Sequence, residues 1–218
     1  VYFEFIDDSL DNLYDFINNA FKIAFSLTNI DLSSKALEES KTLKFQNLPL
    51  YRDNYIRLQN YLIQQGVKDN QLAEMQNKIV TMTGTLGHGD LHGKNLGNPN
   101  IIIDWDKSGV YPKGFDIAYI LSNCYIFTSM DDLLYFLNKQ ILKNQFRAQN
   151  REEYDELLFS ILFFALIFYS RKIGNKILPQ GILSMYQYVL ELYYQLVKVP
   201  LSCVTQSKLK GSSCDITQ

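Results

Sequence analysis

Two features that often define a function are missing from this sequence: a basic stripe and an apolar run of membrane length. Lysine and arginine number 21 against 23 aspartates and glutamates, and the two signs are interspersed. A nucleic-acid or anionic-membrane partner is therefore not expected. The longest apolar run, at residues 157–169, is too short to span a bilayer and is better explained as a buried helix.

Cysteine is also scarce, with three residues and no metal-ligand spacing. Cys124 lies in an apolar helical pattern and is expected to be a buried thiol. Cys203 and Cys214 lie in a polar segment and could pair with each other, although reduced thiols are the favoured interpretation. Because reduced thiols are typical of the cytoplasm, we expect a cytoplasmic protein.

The hydrophobic periodicity predicts a mainly α (α+β) chain, and 218 residues suffice for one domain or one large lobe. A β-prone run occupies residues 1–6, and since it starts at Val1 we expect further sequence upstream. A polar tail is expected over residues 200–218. Helical patterns cover residues 10–24, 51–66, 72–79, 116–127, 131–147, 152–173 and 181–199, with a shorter one near 35–43.

The middle of the chain has a different character. Five glycines crowd into residues 84–97, which indicates loops and tight backbone. A turn at residues 98–100 separates two short β segments, at 95–97 and 101–103, and predicts a small central hairpin. The expected architecture is a helical scaffold around this hairpin.

Side chains suited to phosphoryl transfer lie in and beside the predicted hairpin. Such a site needs a carboxylate that faces the attacking hydroxyl, and Asp90 lies in a glycine-flanked loop where it can project freely. It also needs oxygen ligands for Mg²⁺, and Asn95 and Asp104 fit that task. Because Asn95 and Asp104 lie at opposite ends of the hairpin, folding is expected to bring them together.

Three motifs in order resemble one family. Residues 88–95 (HGDLHGKN) resemble the catalytic loop of the aminoglycoside phosphotransferase and choline kinase family, which is related to the protein kinases. Residues 103–106 (IDWD) are similar to its second metal motif, and residues 115–118 (FDIA) resemble the Asp-Leu-Ala that follows. The resemblance implies that Asp90 is the catalytic base, that Asn95 and Asp104 bind Mg²⁺, and that His88 and Asp116 brace the loop.

The resemblance also implies a division of the chain and a set of ligands. Residues 1–6 would be the last N-lobe strand and the hinge, where Glu4, Phe5 and Ile6 meet the nucleotide, and residues 7–199 would be a protein-kinase-like C-lobe. The cofactors would be Mg²⁺ with ATP or GTP, and the acceptor a small alcohol such as an aminoglycoside or choline. The sequence carries no glycine-rich phosphate loop or Lys–Glu pair, so the missing N-lobe is an expected partner and this chain alone is expected to be inactive.

Other interpretations remain open at this point. A non-catalytic kinase-like lobe that serves as a binding module is one alternative. A metallophosphoesterase is another, because residues 89–93 look like the Gly-Asp-x-His-Gly signature, but only two histidines are available. His92, Lys94 and Asp106 are candidates for contact with substrate or phosphate. The alternatives are a loop-bracing or solvent-facing role for His92, a surface position for Lys94, and a hydrogen-bonding role within the loop for Asp106. Trp105 is expected to pack in the core.

Overall fold

The computed structural model describes residues 10–28, 44–68, 70–82, 84–92, 95–97, 101–124, 127, 129–144, 150–173 and 179–197. The predicted hinge at 1–6, the short helix at 35–43 and the tail at 200–218 lie outside these residues, as does the side chain of Cys124. Within the described part the prediction of a mainly helical protein is confirmed. The α-helices are α1 (Leu10–Thr28), α2 (Pro49–Gln64), α3 (Asn70–Val80), α4 (Phe115–Cys124), α5 (Met130–Lys143), α6 (Arg151–Tyr169) and α7 (Pro179–Leu196), with 3₁₀ turns at Lys44–Asn47 and Ser170–Lys172.

Helix α6 forms the centre of the core. Residues 157–169 are buried on every face, because α6 packs against α2, α4 and α7. This burial by protein explains the longest apolar run, as predicted. None of the helices in the described part of the chain has the length and apolar character needed to cross a membrane.

An aromatic cluster joins α6 to its neighbours. The ring of Phe164 lies edge-on to Phe115 at a centroid distance of 4.9 Å and to Phe45 at 5.2 Å. Such edge-to-face pairs add to the free energy gained from burying the rings themselves. Because Phe115 is the first residue of α4, the cluster fixes the start of that helix beside the central hairpin.

The N-terminus of α6 is capped by a side chain. The Oδ1 atom of Asn150 accepts a hydrogen bond of 2.9 Å from the backbone N–H of Glu153. A capping side chain satisfies a backbone donor that the helix leaves without a partner.

Asn150→Ala is therefore expected to lower the free energy of unfolding by about 1 kcal/mol, because the N–H of Glu153 loses its acceptor. Urea unfolding of the full-length protein measures this change. Asn150→Asp is the control, since aspartate caps equally well and should keep the wild-type midpoint. Equal midpoints for the alanine and aspartate variants would contradict the role of the cap.

The predicted hairpin is present. Strand β2 (Leu96–Gly97) pairs antiparallel with β3 (Ile101–Ile102), and Leu96 lies opposite Ile102. The hairpin is close to the predicted segments, one residue shorter on each strand. It places the residues just before β2 beside those just after β3.

A second strand pair was not predicted. Strand β1 (Gly84–Gly87) pairs antiparallel with β4 (Gly109–Pro112), although the glycines of β1 had indicated a loop. Thr85 is buried and its hydroxyl donates a 2.9 Å hydrogen bond to the carbonyl of Leu27, which ties β1 to the end of α1. Glycine is a poor strand former, so tertiary contacts rather than propensity produce this strand.

Candidate functional site

The loop that carries Asp90 follows β1 directly and is held by the first turn of α4. The two carboxylate oxygens of Asp116 accept hydrogen bonds from the backbone N–H groups of His88, at 2.7 Å, and Gly89, at 3.0 Å. Asp116, His88 and Gly89 are all buried. A single carboxylate therefore satisfies two buried backbone donors and sets the direction in which the chain enters the loop.

Burial raises the pKa of the Asp116 carboxyl to about 6, and the two backbone hydrogen bonds from His88 and Gly89 only partly offset this. The unfolded carboxyl titrates near 3.8. As the pH falls through 6, the folded state takes up a proton that the unfolded state does not yet bind. The group therefore adds stability on acidification, about 2 kcal/mol by pH 4, and this contribution is absent above pH 7.

This titration predicts an observable change in the loop. In the full-length protein, the backbone amide resonances of His88 and Gly89 are expected to shift with a midpoint near pH 6, because their acceptor gains a proton. A ¹H–¹⁵N NMR titration measures the midpoint. Asp90→Asn should lower it, since the charge of Asp90 is one of the causes that raise the pKa of Asp116. Persistence of the pH 6 transition in Asp116→Asn would show that another group is responsible.

His88 connects the two halves of the site. Its buried imidazole accepts a hydrogen bond from the backbone N–H of Asp90 at Nδ1, 3.3 Å away, and lies 2.9 Å from the carbonyl of Ile103 at Nε2. These partners assign the proton to Nε2, which donates to that carbonyl. The ring thus links the loop of Asp90 to the segment that ends in Asp104.

Asn95 makes a second link between the same two segments. Its side-chain nitrogen donates a 3.0 Å hydrogen bond to the carbonyl of Asp90, and its own carbonyl accepts one of 3.0 Å from the N–H of Ile103. Because the nitrogen is used in this way, the side-chain oxygen is the atom that could bind a cation. Asp104 follows Ile103 directly, so the hairpin brings Asn95 and Asp104 to the same place.

Asp104 has an unusual backbone conformation. Its φ of 62° lies in the left-handed region, where no other described non-glycine residue falls. Asparagine and aspartate tolerate this region better than other L-residues, and strained backbone tends to occur at functional sites. Asp104 is exposed, and it directly follows the residue whose N–H bonds to the Asn95 carbonyl.

The donor set at this point suits magnesium. An amide oxygen from Asn95 and a carboxylate oxygen from Asp104 are hard ligands of the kind that Mg²⁺ prefers. Mg²⁺ retains several waters, so two protein ligands suffice when substrate phosphates supply the rest. The residues present therefore fit the cation that the sequence predicts.

Asp90 itself is partly buried, with 13% of its side chain exposed. Its Oδ1 accepts a 3.2 Å hydrogen bond from the hydroxyl of Tyr119, and the Nε2 of His92 is 3.8 Å from the same oxygen. Its Oδ2 contacts the ammonium of Lys107. The carboxylate is therefore surrounded by hydrogen-bond donors.

Sequence reasoning missed Lys107 and Tyr119. A signal existed for Tyr119, since it follows Asp116 by three positions and residues at that spacing share a helix face. The sequence carried no comparable signal for Lys107, which lies in the turn after β3. Its position depends on the pairing of β1 with β4, which was not predicted either.

Comparisons of the chain with protein-family models, with curated proteins and with solved structures found no match. Among the described residues, no group of three or more histidine, cysteine, aspartate or glutamate side chains is arranged to hold a metal ion. A proposal of family and function has to come from the motifs and contacts of the chain itself.

The remaining predicted residues occupy different positions. Asp106 is exposed in the turn after Asp104, and its charge is close enough to raise the pKa of Lys107. Trp105 is 39% exposed and packs on the ring of His88 at a centroid distance of 4.9 Å, so the expectation that it lies in the core is wrong. Lys94 and the predicted hinge residues lie outside the described part: Glu4, Phe5 and Ile6.

Proposed function

We propose that the chain is the protein-kinase-like C-lobe of a small-molecule phosphotransferase related to the aminoglycoside phosphotransferases and choline kinases. The reaction would transfer the γ-phosphoryl group of ATP or GTP to a substrate hydroxyl. Asp90 would be the base, and Asn95 and Asp104 would hold Mg²⁺.

The observation that supports this proposal most is the pair of hydrogen bonds made by Asn95. One joins Asn95 to the carbonyl of Asp90, and the other joins it to the N–H of the residue before Asp104. These bonds connect the three segments that carry Asp90, Asn95 and Asp104, the residues to which the motifs point. A chance match of short motifs would not require such contacts between them.

The residues of the chain divide the chemical work in a simple way. Asp90 orients the acceptor hydroxyl and takes its proton as the new oxygen–phosphorus bond forms. His88 and Asp116 hold the backbone around Asp90, so that the carboxylate is in position before substrate binds. Mg²⁺, when bound, would neutralise charge on the nucleotide phosphates.

The surface beside these groups is suited to a nucleotide. Ile103 and Trp105 flank Asp104 and are 49% and 39% exposed, respectively. Apolar side chains of this size are usually covered when they are grouped, and a base or a further lobe would cover them. This placement supports a nucleotide bound between the described lobe and an N-lobe.

A screen of the full-length protein tests the proposal. ADP or GDP release is measured with Mg²⁺ and a panel of aminoglycosides, choline, amino alcohols and sugars, and ³¹P NMR identifies the phosphorylated product. We expect at least one acceptor to raise nucleotide consumption well above the acceptor-free rate. Calorimetric binding of MgATP without turnover on any acceptor would favour the binding-module alternative, and the absence of both would contradict the proposal.

A further inference from the structure

Lys107 is built into the site and is not a freely placed surface lysine. Its backbone carbonyl accepts a hydrogen bond from the hydroxyl of Tyr111, whose buried ring stacks on Phe115 at a centroid distance of 4.7 Å. A Cβ atom on Gly89 would lie only 2.5 Å from the same carbonyl oxygen, and Gly89 has a φ of 79°. The turn of Lys107 therefore packs against the loop of Asp90 so closely that only glycine fits between them.

The side chain of Lys107 extends from this fixed point to the carboxylate of Asp90. The hydrogen bond from Lys107 to Asp90 raises the pKa of the lysine, and the charges of Asp90, Asp106 and Asp104 raise it further. The ammonium is thus retained at physiological pH. With 45% of its side chain exposed, Lys107 can exchange Asp90 for another anion that arrives from solvent.

The expected anion follows from the geometry of phosphoryl transfer. A hydroxyl activated by Asp90 lies about 3 Å from the carboxylate, and the phosphorus lies about 3–3.5 Å beyond that oxygen. Any cation that contacts Asp90 from the solvent side is therefore within reach of the phosphoryl oxygens. Positive charge at that position is what a phosphoryl-transfer site requires.

We propose that Lys107 is a further catalytic residue, which binds the transferring γ-phosphoryl group and in doing so leaves Asp90 free for the acceptor hydroxyl. This inference rests on the proposed function. In the step itself the acceptor oxygen loses its proton to Asp90 and bonds to the γ-phosphorus, while the bond to the β-phosphate oxygen breaks and the nucleoside diphosphate leaves with its electron pair. Lys107 stays protonated and donates hydrogen bonds to the phosphoryl oxygens throughout.

A purely structural ion pair would behave differently. Half-exposed pairs contribute little to stability, so loss of the lysine would change neither nucleotide binding nor the choice between nucleotides. A lysine on the γ-phosphoryl group would instead affect a triphosphate and leave a diphosphate alone. The comparison of the two nucleotides therefore separates the roles.

Lys107→Met in the full-length protein provides the test. Calorimetry with Mg²⁺ should show about 10- to 100-fold weaker binding of the β,γ-imido analogue of ATP and unchanged binding of ADP, because only the analogue carries a γ-phosphate. Lys107→Arg should restore most of the lost affinity, since it keeps the charge. Lys113→Met is the matched control, because Lys113 pairs with Glu153 at 3.2 Å and does not contact Asp90. Thermal unfolding checks that each variant is folded.

The outcomes are distinguishable. Equal weakening of the analogue and of ADP, or no weakening of either, would overturn the assignment of Lys107 while leaving the proposed function in place. Failure of the wild-type protein to bind any nucleotide would overturn the proposed function and this inference with it. Selective loss for the triphosphate analogue, rescued by arginine, supports the inference.

Discussion

If the proposed function holds, Asp90→Asn is expected to lower kcat of the full-length protein by about 10²- to 10⁴-fold, with the affinity for MgATP nearly unchanged. The amide keeps an oxygen that can accept from Tyr119 or Lys107, so the loop should keep its conformation. It cannot take a proton from the acceptor hydroxyl, so only the chemical step is impaired. Steady-state kinetics with the acceptor found in the screen, together with calorimetry for MgATP, measure the two quantities separately.

Asp53→Asn is a suitable control for this substitution. Asp53 carries the same charge and lies on the outer surface of α2, where its only described ion pair is an exposed one with Arg52 at 3.7 Å. Such a pair contributes little to stability, and the control should retain full activity. A kcat for Asp90→Asn close to that of the control would rule out Asp90 as the base. A loss confined to KM would instead indicate a binding role.

Asp104→Asn is expected to raise the Mg²⁺ concentration needed for half-maximal activity by at least about 100-fold. A direct ligand should matter at least as much as the outer-shell partners of metal sites, whose loss costs about 10–100-fold in affinity. Asparagine is the informative substitution, because it tolerates the left-handed φ of 62° that the residue adopts. Activity measured over a titration of Mg²⁺ at fixed total ATP provides the value.

Asp104→Ala serves as a second comparison. Alanine removes the same ligand but also pays about 1–2 kcal/mol for a left-handed backbone, so it should be less stable than the asparagine variant. Both variants should show the same shift in Mg²⁺ dependence if the carboxylate is a ligand. An unchanged Mg²⁺ titration in Asp104→Asn would exclude Asp104 from the metal site, whatever its effect on stability.

Periodicity alone was enough to find most of the helices. Helices α1 to α7 each fall within a few residues of a predicted pattern, because an amphipathic or fully apolar segment shows its buried face in its own sequence. The hairpin of β2 and β3 was also predictable. Its two strands are neighbours along the chain, and the Asn-Pro-Asn sequence at residues 98–100 had indicated the reversal.

The candidate site was predictable to a smaller degree. The motifs pointed to Asp90, Asn95, Asp104, His88 and Asp116 as residue types that suit phosphoryl transfer, and the hairpin indicated that Asn95 and Asp104 would be neighbours. No local pattern reports which backbone groups a buried carboxylate or imidazole will contact. The hydrogen bond that the loop donates to Asp116, and the one between His88 and Ile103, became visible once the fold was known.

Contacts between residues distant in sequence determined the remaining features of the site. The pairing of β1 with β4 brings residues 84–87 against residues 109–112, and it carries the turn of Lys107 onto the loop of Asp90. The close approach between Gly89 and the turn of Lys107 belongs to the same packing. A sequence pattern shows which face of a segment will be buried, but the partner of that face depends on how the whole chain packs. The residue types therefore indicated a candidate chemistry. The contacts around those residues depend on the packing of the whole chain, which no single segment specifies.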